Sequence, residues 1–143
     1  LVAANQPVRI GMTLEDDCSN RLRSGEPLSS AIEILADGPL ESVMINCSQP
    51  ETIPAALSEL ANLGCAYGAY VNGFKTVAPL RPGGTVKDLE HRPEMNAEAY
   101  TAHALEWLQL GATIIGGCCE ITPAHIQHLH QALLDRNIVA TSF

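Results

Sequence analysis

The apolar positions of this chain fall into four short runs, each followed by a stretch in which apolar residues recur at helical spacing. Residues 8–13 form the first run and predict a strand. A polar loop follows at 14–26, then a helix over 27–36 that begins at Pro27 and is stopped by Asp37, Gly38 and Pro39. Proline suits a helix start because the first turn leaves its N–H groups unpaired anyway, and glycine suits the position just past the end. Residues 43–46 predict the second strand and 54–62 its helix, with Thr52 as a candidate cap and Gly64 as the stop. Residues 65–71 predict the third strand. The segment 72–95, rich in Gly, Pro and charge, is longer than a simple connection, and loops of that length inside a compact domain are as a rule functional or mobile. Asn96 caps the clearest helix, 97–110, on which Ala97, Tyr100, Ala104, Trp107, Leu108 and Gly111 share one stripe. Residues 112–115 predict the last strand. Thr122 and Pro123 open the last helix, which ends near Asp135.

The order is β-α-β-α-β-α-β-α. Short apolar strands separated by helices imply an α/β fold with parallel pairing and right-handed crossovers. An open doubly wound sheet and part of a (β/α)8 barrel both satisfy this pattern. In either, a functional site is expected at the carboxyl ends of the strands.

Composition narrows the function classes. The 143 residues, 46% hydrophobic and 17% charged, suffice for one globular domain with a core. No apolar run approaches the roughly 18 residues of a membrane span, and no secretion signal is visible. Leu1 stands where an initiator Met would, which reads as a processed or truncated piece. The net charge of -8, without any Lys/Arg cluster, argues against a nucleic-acid footprint and against an anionic membrane surface. Five cysteines is an odd number, unlike an even secreted disulfide framework, so the expectation is a cytoplasmic protein with reduced thiols.

Three of those thiols stand at predicted strand ends. Cys47 closes the second run and the adjacent pair Cys118 and Cys119 closes the fourth, so all three fall on one edge of the sheet. A catalytic zinc site commonly has three protein ligands and one open position. The two glycines before the pair, Gly116 and Gly117, predict a sharp backbone turn there. The following helix begins close by, and its N-terminus favours ionised sulfurs. Three thiolates leave zinc electron-rich, suited to holding one further thiol as a nucleophile rather than to making hydroxide. Spacing alone leaves open a vicinal disulfide or plain core cysteines. Cys65 and Cys18 are read as small buried hydrophobes.

Gly116-Gly117-Cys118-Cys119, followed by Thr122-Pro123 and His125-Ile126, resembles the carboxyl-terminal signature of the homocysteine S-methyltransferase family. Ile45-Asn46-Cys47 is similar to that family's preceding motif. Met12-Thr13, the turn Ser24-Gly25-Glu26-Pro27-Leu28 and Asn72 match in order. The resemblance implies a (β/α)8 (TIM) barrel that binds zinc through three cysteines and methylates homocysteine to methionine, with S-methylmethionine, S-adenosylmethionine, betaine or methylfolate as donors across the family. Carried over, it makes Cys47, Cys118 and Cys119 the zinc ligands and catalytic centre, and places Asn72 and Thr13 in the substrate pocket. It covers only the last four strand-helix units, so residues 1–143 are expected to form the carboxyl-terminal half of the homocysteine-binding domain. A half barrel exposes two sheet edges, and the expected partners are a second copy or a missing amino-terminal half, besides the small-molecule substrates. The alternative is a zinc- or thiol-binding fragment without catalysis. Glu120, beside the thiol pair, departs from the small or basic residue usual there.

Other titratable groups carry less. His125 and His128 share a helix face with His130 nearby, which reads as a solvated face because no Glu stands between them in an H-E-x-x-H pattern. His91 and His103 show no partner in the sequence. Glu15, Asp16 and Asp17 read as a solvated loop rather than a cation site. Residues 81–84 lack the ending of a phosphate-binding loop and predict a flexible cover for the site. Trp107 is expected in the core.

Overall fold

The structure is a computed structural model and describes residues 6–80 and 84–141. The expected cover at 81–84 therefore lies almost wholly outside the described residues. Eight principal elements follow one another: β1 (Val8–Met12), α1 (Leu28–Leu35), β2 (Leu40–Asn46), α2 (Ile53–Leu60), β3 (Ala66–Val71), α3 (Ala97–Gln109), β4 (Ile114–Gly117) and α4 (Pro123–Leu134). The strands form one four-stranded sheet in the order β1-β2-β3-β4, every neighbouring pair parallel. Spatial order equals chain order, so the sheet has no point at which its winding reverses. The four strands thus lack, among the described residues, the reversal that defines a doubly wound sheet.

Successive helices touch, α1 with α2, α2 with α3 and α3 with α4, which puts them in one layer. The core lies between that layer and the sheet. Val43, Ile45, Ala69 and Val71 meet Leu28, Ile53, Leu57, Leu60, Ala104 and Trp107, all fully buried. Alternation along a strand sends the intervening residues to the opposite face. There Gly11, Asn46, Tyr70 and Gly116 remain partly or fully exposed. Among the described residues no helix is long and apolar enough to cross a membrane.

Local chemistry explains the helix starts. Asn96 caps α3 as expected, its Oδ1 accepting the Ala99 N–H at 2.9 Å. Thr52 does not cap α2. Its hydroxyl donates to the Gln49 carbonyl at 2.8 Å inside a 3₁₀ turn, Pro50–Thr52, that leads into the helix. At α4 the Thr122 N–H donates to His125 Nδ1 at 3.1 Å. The segment 72–95 is bridged at Phe74 and His91 and contains 3₁₀ turns at Ala78–Leu80 and Val86–Asp88.

Candidate metal centre

Cys47 follows β2 directly and Cys118 follows β4, so the two cysteines flank the end of β3. Two successive carbonyls of β3 hold them: Tyr70 O accepts the Cys47 N–H at 2.9 Å, and Val71 O accepts the Cys118 N–H at 2.8 Å. Neighbouring strands lie about 4.8 Å apart, so residues two strands apart start about twice that distance from each other. The side chains close this gap. The sulfurs of Cys47, Cys118 and Cys119 all lie within 4.8 Å of one another. Cys118 Sγ and Cys119 Sγ are 3.7 Å apart, too far for a disulfide, and all five cysteines are free thiols.

The backbone that aims these thiols is unusual at two residues, and neither is the predicted one. Gly116 and Gly117 make no sharp turn; they finish β4, paired with Tyr70 and Val71. What their lack of side chains provides is space: a Cβ on Gly117 would lie 2.2 Å from Ile121 Cγ2. The turns instead fall at Cys47 (φ 45°) and Glu120 (φ 65°), left-handed conformations that cost a side-chain-bearing residue energy and persist only when neighbours hold them. At Cys47 the neighbours are identifiable. Its carbonyl accepts from Asn72 Nδ2 at 2.8 Å and from Arg23 Nη2 at 3.2 Å. Arg23 also reaches the Leu14 carbonyl at 3.3 Å.

Asn72, expected to line a pocket, is fully buried, and both ends of its amide are taken: Oδ1 accepts the Phe74 N–H at 2.9 Å. Thr13, the other expected pocket residue, lies just past β1, partly buried, its carbonyl accepting the Arg23 N–H at 2.9 Å. Asn72→Ala should destabilise the chain by about 2–3 kcal/mol, because it leaves the buried Phe74 N–H without its acceptor and the Cys47 carbonyl with Arg23 as its remaining side-chain donor. It should also weaken metal binding by about 10- to 100-fold, as losses behind a ligand do. Urea unfolding and a competitive zinc titration check the two numbers separately.

The surroundings of Cys47 and Cys119 favour the protonated thiol. Burial first, then the neighbouring Cys118 and Cys119, push Cys47 up to about 12 from an ordinary 9.0. Burial also raises Cys119. The ionising influence expected from the α4 N-terminus is thus outweighed. The sign for stability follows. Between pH 9 and 12 the folded chain keeps a proton on Cys47 that the unfolded chain has lost, so this contribution is present below pH 9 and is lost as pH rises through 12. The metal-free chain should melt at a lower temperature at pH 10 than at pH 8.5, and Cys47→Ala should remove this part of the difference. Calorimetry at the two pH values measures it.

Donor chemistry and geometry both fit a soft tetrahedral ion. Thiolates select zinc, copper(I) or iron–sulfur centres over harder ions. Sulfurs at tetrahedral corners about 2.3 Å from zinc stand about 3.8 Å apart. The 3.7 Å of the adjacent pair matches that edge, and the spread of up to 4.8 Å closes with small side-chain rotations. Among the described residues this is the one cluster of three His, Cys, Asp or Glu donors close enough to hold an ion.

Of the remaining singled-out residues, His128 and His130 are exposed and Trp107 is in the core as expected, while others are placed differently. His125 does not face solvent: it is 9% exposed, and its Nε2–H donates to the Met95 carbonyl at 2.9 Å. Since Nδ1 accepts from Thr122, the ring is the neutral Nε2–H tautomer and offers no lone pair to a metal. His128 meets Thr101 through Nδ1, at 2.9 Å. His91 has a partner after all, with Nδ1 3.2 Å from Glu120 Oε2, and His103 stacks on Trp107 at 6.0 Å. Asp16 is not merely solvated, since its Oδ2 accepts from Thr76 Oγ1 at 2.7 Å and from the Val77 N–H at 2.9 Å. Trp107 is fully buried. Arg23 gave no signal in the sequence, because a lone arginine in a polar loop has no spacing to mark it.

Fold and site together define an α/β protein with a three-thiol centre at the carboxyl edge of a parallel sheet. The chain belongs to the homocysteine S-methyltransferase family, whose sequence profile matches residues 1–133. It is 32% identical over 126 residues to the homocysteine S-methyltransferase of Escherichia coli (strain K12), a match covering 82% of this chain and 36% of the relative. It is 28% identical over 121 residues to homocysteine S-methyltransferase 1 of Zea mays, covering 80% and 35%. It is 26% identical over 121 residues to the selenocysteine Se-methyltransferase of Brassica oleracea var. italica, covering 83% and 34%. The chain thus spans about a third of the length of these relatives.

Proposed function

We propose that this chain carries the thiol-activating part of a zinc-dependent homocysteine S-methyltransferase, with Cys47, Cys118 and Cys119 as the metal ligands. The observation that supports it most is the convergence of those three sulfurs within 4.8 Å, in a chain of this family. Zinc, when bound, supplies the positive charge that keeps thiols ionised near neutral pH. The chain's residues do the rest. Cys47, Cys118 and Cys119 would hold the ion and would leave one position open to the homocysteine sulfur. Arg23 and Asn72 fix Cys47 in the conformation that brings its sulfur to the other two. The homocysteine sulfur, having lost its proton, takes the methyl group from the donor in line. The donor leaves with the electron pair of the broken bond, and methionine is the product. No protein nucleophile takes part.

We further propose that the four strand-helix units are half of a (β/α)8 barrel. Sequential strand order and a single helix layer support this. So do two edge strands, β1 and β4, that lack an outer neighbour among the described residues. Beside β4 runs a groove of about 550 Å³ lined by Ile115, Ile126, Leu133 and Ile138, apolar surface of the kind a partner covers. The chain should therefore assemble with a second copy or with the segment that completes the barrel, and light scattering should report a species larger than the monomer.

The activity test supplies the zinc-loaded chain with homocysteine and, in turn, S-methylmethionine, S-adenosylmethionine, betaine and methylfolate. It is run alone and with the remaining segment of the Escherichia coli relative added. Methionine formation with at least one donor, abolished by Cys119→Ala, is the expected result. No methionine under any of these conditions would count against the reading.

A further inference from the structure

Tyr70 is the last residue but one of β3 and lies between the two strands that carry the thiols. Its partners in register are Asn46 on β2 and Gly116 on β4. Its backbone carbonyl holds Cys47, as described above, while its side chain goes to the face away from the helices. The ring does not stand up from that face. It crosses β2 and ends over β1, where a Cβ on Gly11 would lie 2.5 Å from the phenol oxygen. At its other end a Cβ on Gly116 would lie 3.4 Å from Tyr70 Cβ. Glycine at both positions gives the ring room to lie across the sheet. The two other tyrosines of the chain use their hydroxyls on backbone carbonyls, Tyr67 on Leu110 at 3.0 Å and Tyr100 on Gly116 at 2.9 Å. The Tyr70 hydroxyl has no hydrogen-bond partner among the described residues and lies on the face away from the helices.

Resting on the reading of the thiol centre given above, we infer that Tyr70 is a substrate-binding residue whose hydroxyl receives the amino-acid end of the incoming thiol. The ring leads away from the thiols at β2 and β4 towards β1, so the hydroxyl is displaced from the point where a substrate sulfur would sit. In homocysteine two methylene groups separate the sulfur from the carbon bearing the ammonium and carboxylate groups. A phenol both donates and accepts, so it can donate to the carboxylate or accept from the ammonium. The ligand class is therefore a thiol with a polar, charged far end, and Tyr70 separates such a thiol from a simple alkyl thiol. Sulfur is held by the centre and the far end by Tyr70.

The test uses the full chain loaded with cobalt(II), whose absorption reports a fourth sulfur. Homocysteine and 1-propanethiol are titrated into the unaltered chain and into Tyr70→Phe. The substitution keeps the ring and should leave metal stoichiometry and the thiol-free spectrum unchanged. Loss of one hydrogen bond to a charged group should weaken homocysteine binding about 10-fold, with 1-propanethiol unchanged. Equal affinities for homocysteine in the two chains would overturn the inference, as would an equal loss for both thiols. If the unaltered chain shows no spectral change with either thiol, the open-position reading itself fails and this inference falls with it.

Discussion

Cys118→Ala is expected to take the zinc bound per chain from about one equivalent to almost none, and to abolish methyl transfer with it. The two thiols left by this change, one past β2 and one past β4, no longer make a three-ligand set. The remaining sulfurs are held largely protonated by burial, so nothing offsets the lost ligand. The fold should survive. The bond that matters locally is made by the backbone, Cys118 N–H to Val71 O at 2.8 Å, and alanine keeps it. Cys65→Ala is the control, since Cys65 packs against the core and lies outside the cluster. Elemental analysis after purification without chelator reads both. Stoichiometric zinc in Cys118→Ala would contradict the ligand assignment, whatever its activity.

The second large effect is expected from Gly68→Ala, and it concerns the sheet. Gly68 pairs with Ile114, and a Cβ there would lie 1.7 Å from the Ile114 carbonyl oxygen and 2.6 Å from its carbon. These are backbone atoms in a parallel ladder and cannot rotate aside. β4 would have to move off β3, or the ladder would have to break. The cost should be about 3–5 kcal/mol, at the far end of what single substitutions do and a large fraction of a domain's total stability. A drop in melting temperature of about 10 °C or more would follow for a chain of this size. The centre should fail in parallel, because β4 leads directly into Cys118 and Cys119 and its pairing with β3 sets their distance from Cys47. Thermal melting beside the control Gly25→Ala, at a position with nothing within 4 Å, measures it, though φ 107° adds strain to the control. A Gly68→Ala chain that melts with the unaltered one would refute the close approach.

Much of this was legible in the sequence. The eight elements appear in the predicted order because short apolar strands and amphipathic helices have periods that differ by nearly a factor of two. The boundaries moved where side chains stop reporting position. β2 begins at Leu40, earlier than its apolar core, because Leu40 and Ser42 pair with β1 around an irregularity at Glu41, a stretch without an apolar signature. β4 runs to Gly117 and starts only at Ile114, because glycines read as a turn while their backbones simply pair. Ala112, expected in that strand, instead closes α3 through its N–H to Trp107 O at 3.0 Å.

The site divides the same way. The three cysteines could be named from position and motif. Their meeting could not be derived from spacing, since it depends on the left-handed turn at Cys47 and on contacts from Asn72 and Arg23, residues distant in sequence. His125 was misplaced for a definable reason. It stands three residues after the helix cap, where Glu or Gln usually folds back onto the cap's N–H, and it performs that role with Nδ1. The pattern Thr-x-x-His at a helix start was the available signal. Tyr70 looked like one more apolar strand residue; only the ring's path across Gly11 marks it out.

X-ray absorption at the zinc edge of the full chain, recorded with and without homocysteine, tests the central claim most directly. Three sulfur neighbours at about 2.3 Å, rising to four when homocysteine is added, is the predicted result. Fewer than three sulfurs, or a count that homocysteine leaves unchanged, would contradict a three-cysteine centre with one position open to a thiol.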